Sequence, residues 1–451
     1  MGRLRSVAPV LLVFATLFLA DANSGDPTGF LANAASGDPT GFLADAASGD
    51  RTVSRSPPPE ITALPRSLTP AETEALRAGN DFGLNLLRRL YAEREDERAN
   101  VFISPLSVSM SLGMLLNGAG GETFNAMGNA LGLNGLMVAE ANEAYKALTD
   151  LLVHLDPSVE FRVANNSWLE EGFQIRRDYR SRLEEAFDAQ IENVRFEEPD
   201  MAGAINGWVG ETTEGRIRDL VTPEEFAGLV ALLVNTVYFK GEWTDPFDPA
   251  QTATVEFRRA DGSTVVVPLM GQALDARVGG GEDYGEDFVA VDLPYGGGAF
   301  SMMVVVPTGD ATLAELVQGM DGARWQELVD ALRGEARTEV RLPRFELTYE
   351  KVLNDVLKAM GMEVAFDASR ADFGWMLGNA GLGVTPHIGW VKQKSFIKVD
   401  EEGTETAAAT GTAFATSGNP VLQADRPFLF AIRERLYGTI LFVGTVTDPT
   451  G

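Results

Sequence analysis

Hydrophobic spacing changes character repeatedly along this chain, and each change marks an element. Phe82, Leu84, Leu86, Leu87, Leu90 and Tyr91 recur at helical intervals and predict an amphipathic helix. Val101, Phe102 and Ile103 then read as a short apolar strand. Ser104-Pro105 opens a second helix as N-cap and first-turn proline. Its apolar residues Val108, Met110, Leu112, Met114, Leu115 and Leu116 point in nearly all directions, so burial is expected, and Gly118, Gly120 and Gly121 end it. Ser104, Ser107, Ser109 and Ser111 in or beside a buried helix need hydrogen-bond partners. Alternation predicts a strand over 161–168, and helices follow over 176–189 and over 204–217 with a stop at Gly215. Residues 229–240 are almost continuously apolar apart from Asn235, which suits a strand covered on both faces. Further strands are expected over 255–257, 265–269, 288–293, 300–306 and 340–347. Helices fall at 313–332, broken near Gly322, and at 349–360, stopped by Gly361. Residues 390–399 and two closing runs, 428–432 and 438–446, complete the set. Ordered structure is expected from about Ala78. No linker interrupts the chain beyond that point, so 78–451 reads as one large mixed α+β domain.

One stretch fits none of these patterns. After the acidic turn Asp400-Glu401-Glu402-Gly403, residues 404–416 contain no proline, one charge (Glu405) and one large side chain (Phe414). Thr404, Thr406, Ala408, Thr410, Thr412, Phe414 and Thr416 alternate with Glu405, Ala407, Ala409, Gly411, Ala413 and Ala415. One strand face would be mostly β-branched and the other tiny. Such a segment can stand in water as a flexible linker, or slide between two strands without a clash.

Composition narrows the chemistry. The 451 residues are 45% hydrophobic and 23% charged, which is globular. There is no cysteine, so no disulfide, thiol nucleophile or thiolate metal site is possible. His154 and His387 are the two histidines from which any triad or zinc cluster would have to be built. No metal or other cofactor is therefore expected, and an enzyme is a distant reading. The net charge of −28 argues against nucleic acid. Seven lysines stand against thirty arginines, as a GC-rich prokaryotic coding bias or a salt-loving organism would give.

The N-terminus carries an export pattern. Arg3 and Arg5 precede an apolar core over 7–20, and Ala20-Asp21-Ala22 offers a small-x-small cleavage site. The core is too short for a comfortable transmembrane helix, so residues 1–22 read as a signal peptide of a secreted or extracytoplasmic protein with no membrane partner. Residues 24–35 and 36–47 are near-identical copies, SGDPTGFLANAA and SGDPTGFLADAA, too polar to bury a core. With the proline-rich stretch over 55–70 they make 23–77 a linker.

Taken together, the segments over 78–449 resemble the serpins. The resemblance rests on NVFISPLSVSMSLGMLLNGA, INGWVGETTEGRI, LVNTVYFKGEW, VDEEGTETAAAT and RPFLFAIRERLYGTILFVGTVTDP, in that order. It implies a large mixed main sheet with two further sheets, about eight or nine helices and an exposed reactive loop. The implied activity is serine protease inhibition as a suicide substrate: the cut loop enters the main sheet and traps the acyl-enzyme. The alternative is a non-inhibitory serpin acting as a binding or chaperone-like protein. By position the hinge is Glu401, Glu402, Gly403, Thr404, Glu405, Thr406, Ala407, Ala408, Ala409 and Thr410. The scissile bond falls at Ser417-Gly418, with Thr416-Ser417 as the alternative. Neither offers a basic residue, so the expected partner is an elastase-like or subtilisin-like protease with a small-residue preference, met by a monomer. Ser104, Ser107, Asn235 and Gln393 are the expected sheet-opening region. Gln393 stands where the family usually has a histidine, and an amide cannot titrate.

The charge excess gives a first prediction. Moderate sodium chloride should raise the thermal midpoint by screening self-repulsion. A midpoint that stays flat or falls would remove that argument.

Overall fold

The structure is a computed structural model that describes residues 7–19, 58–280, 287–378, 385–401 and 421–451. Fifteen strands and the helices around them are assigned among these residues. The main sheet has six strands. β1 is Val7–Leu19, β3 Val159–Glu170, β4 Ala189–Val194, β5 Ala231–Gly241, β11 Phe345–Val352 and β12 Thr385–Val399. Their order is β11-β12-β1-β5-β3-β4. β12, β1 and β5 run parallel, whereas β11 and β3 are antiparallel to their inner neighbours.

The other strands form two further sheets joined through one long strand. β7, Thr264–Gly280, pairs first with β6 (Ala253–Arg258) and β10 (Glu335–Pro343), and β10 pairs with β13 (Val421–Gln423). The end of β7 then pairs with β8 (Phe288–Tyr295). From there the ladder continues through β9 (Phe300–Pro307), β14 (Phe428–Glu434) and β15 (Ile440–Val446) to β2 (Val101–Ile103).

Helix α1, Pro70–Ala92, is opened by a capping box between Thr69 and Glu72, and Arg66 pairs with Glu72 at 2.7 Å. It starts earlier than the apolar spacing predicts, because its first turn is polar and the capping residues carry the signal. α2, Pro105–Leu116, has Ser104 as N-cap, and every residue of the helix except Leu106 is buried. At Gly83 a Cβ would lie 2.3 Å from the Pro105 ring, so the close approach of α1 to α2 requires glycine. Gly121 does more than end α2, since it begins α3, Gly121–Ala130. α4 is Val138–Leu155, α5 Arg177–Phe187 and α6 Met201–Thr212. α6 lays Ile205 and Val209 on Trp168, Leu232 and Val234 of the main sheet.

Three expectations are revised. Residues 340–347 are not one strand: the ladder breaks at Arg344, and β10 and β11 belong to different sheets. Residues 349–352 complete β11, and helix begins only at Asn354. Gly361, at φ 99°, sits within a widened turn that continues to Phe366, so it bends this helix instead of ending it. The apolar run over 7–19, read above as the core of an export signal, is strand β1 in the unprocessed chain, which leaves the export reading as it stood. An uncharged run of this length suits a buried strand as well as a signal core, and spacing alone does not separate the two.

Two large clusters fill the interior, one between the helices and the main sheet and one between the sheets. Phe102 anchors the second, its ring stacked on Phe430 at 5.6 Å and on Phe442 at 5.7 Å. Phe102→Ala should lower stability by about 3–5 kcal/mol, read as an earlier urea transition. A shift of a few tenths would mean that the cavity collapses.

Candidate functional site

The site is a strand position in the main sheet beside the end of β12. β5 and β12 run in the same direction, and β1 lies between them: Phe14 pairs with Asn235 on one side and Gln393 on the other. Asn235 and Gln393 are therefore level with each other but two interstrand spacings apart, about 9–10 Å.

Three of the four residues expected to control sheet opening meet. Ser107 Oγ donates to Asn235 Oδ1. Asn235 Nδ2 donates to Asn165 Oδ1 at 2.8 Å, and Asn165 Nδ2 donates to the Phe187 carbonyl at 2.7 Å. Ser104 Oγ donates to the Leu441 carbonyl at 2.7 Å and accepts from the Ser107 amide at 3.2 Å. The cluster ties α2 to β3, β5 and β15. Gln393 is fully buried, and both of its amide atoms lack a hydrogen-bond partner among the described residues. An unpaired buried amide costs roughly 1–3 kcal/mol.

The segment after α6 crosses above this position and is tied to β12. Lys392 Nζ lies 2.6 Å from Glu225 and 3.0 Å from the Leu220 carbonyl. Lys394 Nζ reaches Asp219 at 2.7 Å and Glu350 of β11 at 3.1 Å. Asn206 of α6 holds the same segment from the other side: its amide oxygen accepts from Leu220 and Val221 at 2.8 and 3.0 Å. Residues 219–225 thus form a strap over the sheet. Sequence reading passed over these lysines, although two cations at a spacing of two on an otherwise apolar strand signal a shared face with buried partners. Desolvation depresses Lys394, but the hydrogen bonds its ammonium donates to Asp219 and Glu350 outweigh it and the ammonium is held above its ordinary range. The Lys394 hydrogen bond holds Asp219 below its ordinary 3.8.

The loop base is anchored where β12 ends. Glu401 is buried, accepts from Thr252 Oγ1 and pairs with Arg344. Its carbonyl accepts from the Phe247 amide at 2.9 Å, and the Asp400 carbonyl accepts from Trp243 Nε1 at 2.9 Å. The chain is described again from β13, which pairs with β10 in another sheet. Residues 402–420 therefore connect the main sheet to a strand at one pole. Glu402, Gly403, Thr404, Glu405, Thr406, Ala407, Ala408, Ala409, Thr410, Thr416, Ser417 and Gly418 lie outside the described residues. Glu401 is the one predicted hinge residue whose contacts are described. Among the described residues no group of three or more His, Asp or Glu side chains is placed to hold a metal ion. No helix among them is long and apolar enough to cross a membrane.

Among the described residues the main sheet holds β1 between β5 and β12, the 219–225 segment lies across it, and the chain leaves β12 for a strand of another sheet. The chain belongs to the serpin family: the family model described as Serpin (serine protease inhibitor) matches residues 77–449. Human neuroserpin is 33% identical over 379 residues, covering 82% of this chain and 90% of that protein. A protein of Cyanea capillata named serine protease inhibitor is 32% identical over 360 residues, covering 78% and 92%. The crystal structure of native protease nexin-1 with heparin superposes with a TM-score of 0.73 at 28% identity, covering 84% of this chain and all of that one. The main sheet, the two further sheets and the surrounding helices are the serpin fold. The two sequence relatives are animal proteins, so they lend no support to a prokaryotic origin.

The strap has a pH window. Asp219, with its depressed pKa, contributes stability above its ordinary value that is lost as pH falls through the folded value. Lys394, with its raised pKa, contributes below its ordinary value and loses that contribution as pH climbs through the folded one. Asp219→Asn should therefore lower the thermal midpoint slightly between about pH 5 and 9, and the difference from wild type should shrink as pH falls below the ordinary 3.8 and be gone in strong acid. Asp219 is largely exposed, so the effect is small. A difference that persists in strong acid would contradict the ion-pair account. Asn235→Leu should cost roughly 1–3 kcal/mol, because it leaves Ser107 and Asn165 without their partner.

Proposed function

We propose that this protein is a secreted, monomeric serine protease inhibitor that acts as a suicide substrate. A target protease of elastase-like or subtilisin-like preference attacks the loop at Ser417-Gly418, or at Thr416-Ser417, and forms an acyl-enzyme. The freed N-terminal part of the loop then enters the main sheet between β5 and β12, carries the protease with it and distorts its active site before water resolves the ester. The observation that carries this reading is the strand position between β5 and β12, beside a loop of small and β-branched residues that leaves the end of β12.

The energetics agree. About a dozen inserted residues gain ladder hydrogen bonds worth roughly 0.5–1.5 kcal/mol net each, on the order of 10 kcal/mol in all. That rivals the stability of a whole domain, so the uninserted form can persist as a kinetic trap. Gly403 supplies the dihedral freedom for the reversal at the hinge. Thr404, Thr406, Ala408 and Thr410 would then turn inward, and none is charged. Trapping belongs to the family and needs no metal or cofactor, and the protein itself turns over no substrate. Export follows from the apolar run and the small-x-small site at 20–22, with a linker from residue 23 that ends before the Thr69 cap of α1, and the inhibitory domain from there to 451.

Thr404→Arg tests the mechanism. Insertion would bury an unpaired cation at a cost of several kcal/mol, whereas the uninserted loop exposes the same side chain. The variant should keep the wild-type thermal midpoint and protease recognition, yet be cut and released. The reading is the number of inhibitor molecules consumed per protease inactivated. Wild type and variant are compared in the chain processed after Ala22. A variant as efficient as wild type would exclude insertion past residue 404, and cleavage of processed wild type without a covalent complex would favour the non-inhibitory alternative.

A further inference from the structure

The position that the cut loop would enter is filled by the chain's own N-terminal segment. β1 pairs with β12 from Val7↔Thr385 to Leu19↔Lys398, with one irregularity near Leu12, and with β5 from Val10↔Ala231 to Leu19↔Lys240. We infer that residues Val7–Leu19, for as long as they remain attached, are an internal blocking strand that occupies the site of loop insertion and keeps the unprocessed chain from trapping a protease. The inference rests on the inhibitory reading for its consequence, but not for the occupancy itself.

Three observations support it. The loop follows β12, so a cut loop must fold back antiparallel to that strand, whereas β1 runs parallel to it. Both would use the same edge amides and carbonyls of β5 and β12, so occupancy is exclusive. Residues 20–57 join β1 to the domain, and a chain of that length can extend to roughly 120 Å, ample for entry from the molecule's own N-terminus. Third, the filled state is not the one in which Gln393 is satisfied. Its buried amide lacks a partner among the described residues, while the Asn235 cluster lies level with it on the far side of β1. Withdrawal of β1 would let β5 and β12 close and bring that amide to Asn235. Removal of the segment would therefore both clear the site and favour the closed sheet from which the loop inserts.

The test uses the unprocessed chain, 1–451, beside a full-length variant carrying Val13→Pro and Thr16→Pro. These substitutions delete one β1 amide aimed at each neighbouring strand. A labelled synthetic peptide with the sequence of residues 404–415 probes the site without any protease. Wild type should protect the amides of 7–19 from hydrogen exchange and refuse the peptide, and the variant should lose that protection and take the peptide up. Amides of 7–19 that exchange as freely in wild type as in the variant would overturn the proposal, and so would equal peptide uptake by both. Protection that disappears on dilution would show that a second copy supplies the strand, which also overturns it. Incubation with an elastase-like protease adds the functional arm: wild type should give cleaved product and the variant a covalent complex. If the peptide result holds and neither form traps, the blocking strand stands and the inhibitory reading falls.

Discussion

Backbone amides and carbonyls at a strand edge need partners, and this constraint governs the molecule. β5 and β12 face each other as parallel strands, and their inner edges have two ways to be satisfied: pair directly or admit a strand between them. Each arrangement saturates the ladder, and the inhibitory reading proposed above uses both. The stretch beyond Gly403, uncharged apart from Glu405 and small apart from Phe414, suits such a position in composition, and β1 shows the position filled.

On the proposed mechanism, the contacts around the position are those that opening has to break. On the helical side, Ser107, Asn235 and Asn165 fix β5 and β3 to α2, so movement has to come from β12 and β11. On the opposite face, the strap over 219–225 is held to β12 by Lys392 and Lys394 and to α6 by Asn206. Any entering strand must pass beneath it. At the base of the loop, the buried Glu401 carboxylate and the Asp400 carbonyl are held by Arg344, Thr252 and Trp243, so entry begins by loosening a polar anchor.

Much of this was legible in the sequence because burial imposes period. The all-round apolar α2, the continuous run at 231–241 with Asn235 at its centre, and the paired closing strands follow from hydrophobic spacing. The Ser107–Asn235 contact joins residues 128 apart, and it was expected from the family pattern, not from spacing. The split at Arg344 was not legible. An apolar run does not say where a chain leaves one sheet for another, and Arg344 turns there because its guanidinium reaches Glu401. The strap was missed because ion pairs between a loop and a strand leave no periodic trace. The segment at 7–19 satisfies the hydrophobic demands of an export signal and of a central strand equally well.

The central claim is that proteolysis of the loop triggers insertion that outruns hydrolysis. The most direct measurement combines denaturing electrophoresis with the mass of the C-terminal fragment released by an elastase-like protease. For the chain processed after Ala22, which lacks β1, the account predicts a denaturant-stable complex of protease with the N-terminal portion, and a free fragment beginning at Gly418 or Ser417 and ending at Gly451. From that processed chain, a fragment that begins elsewhere, or a cut with no covalent species, would contradict it.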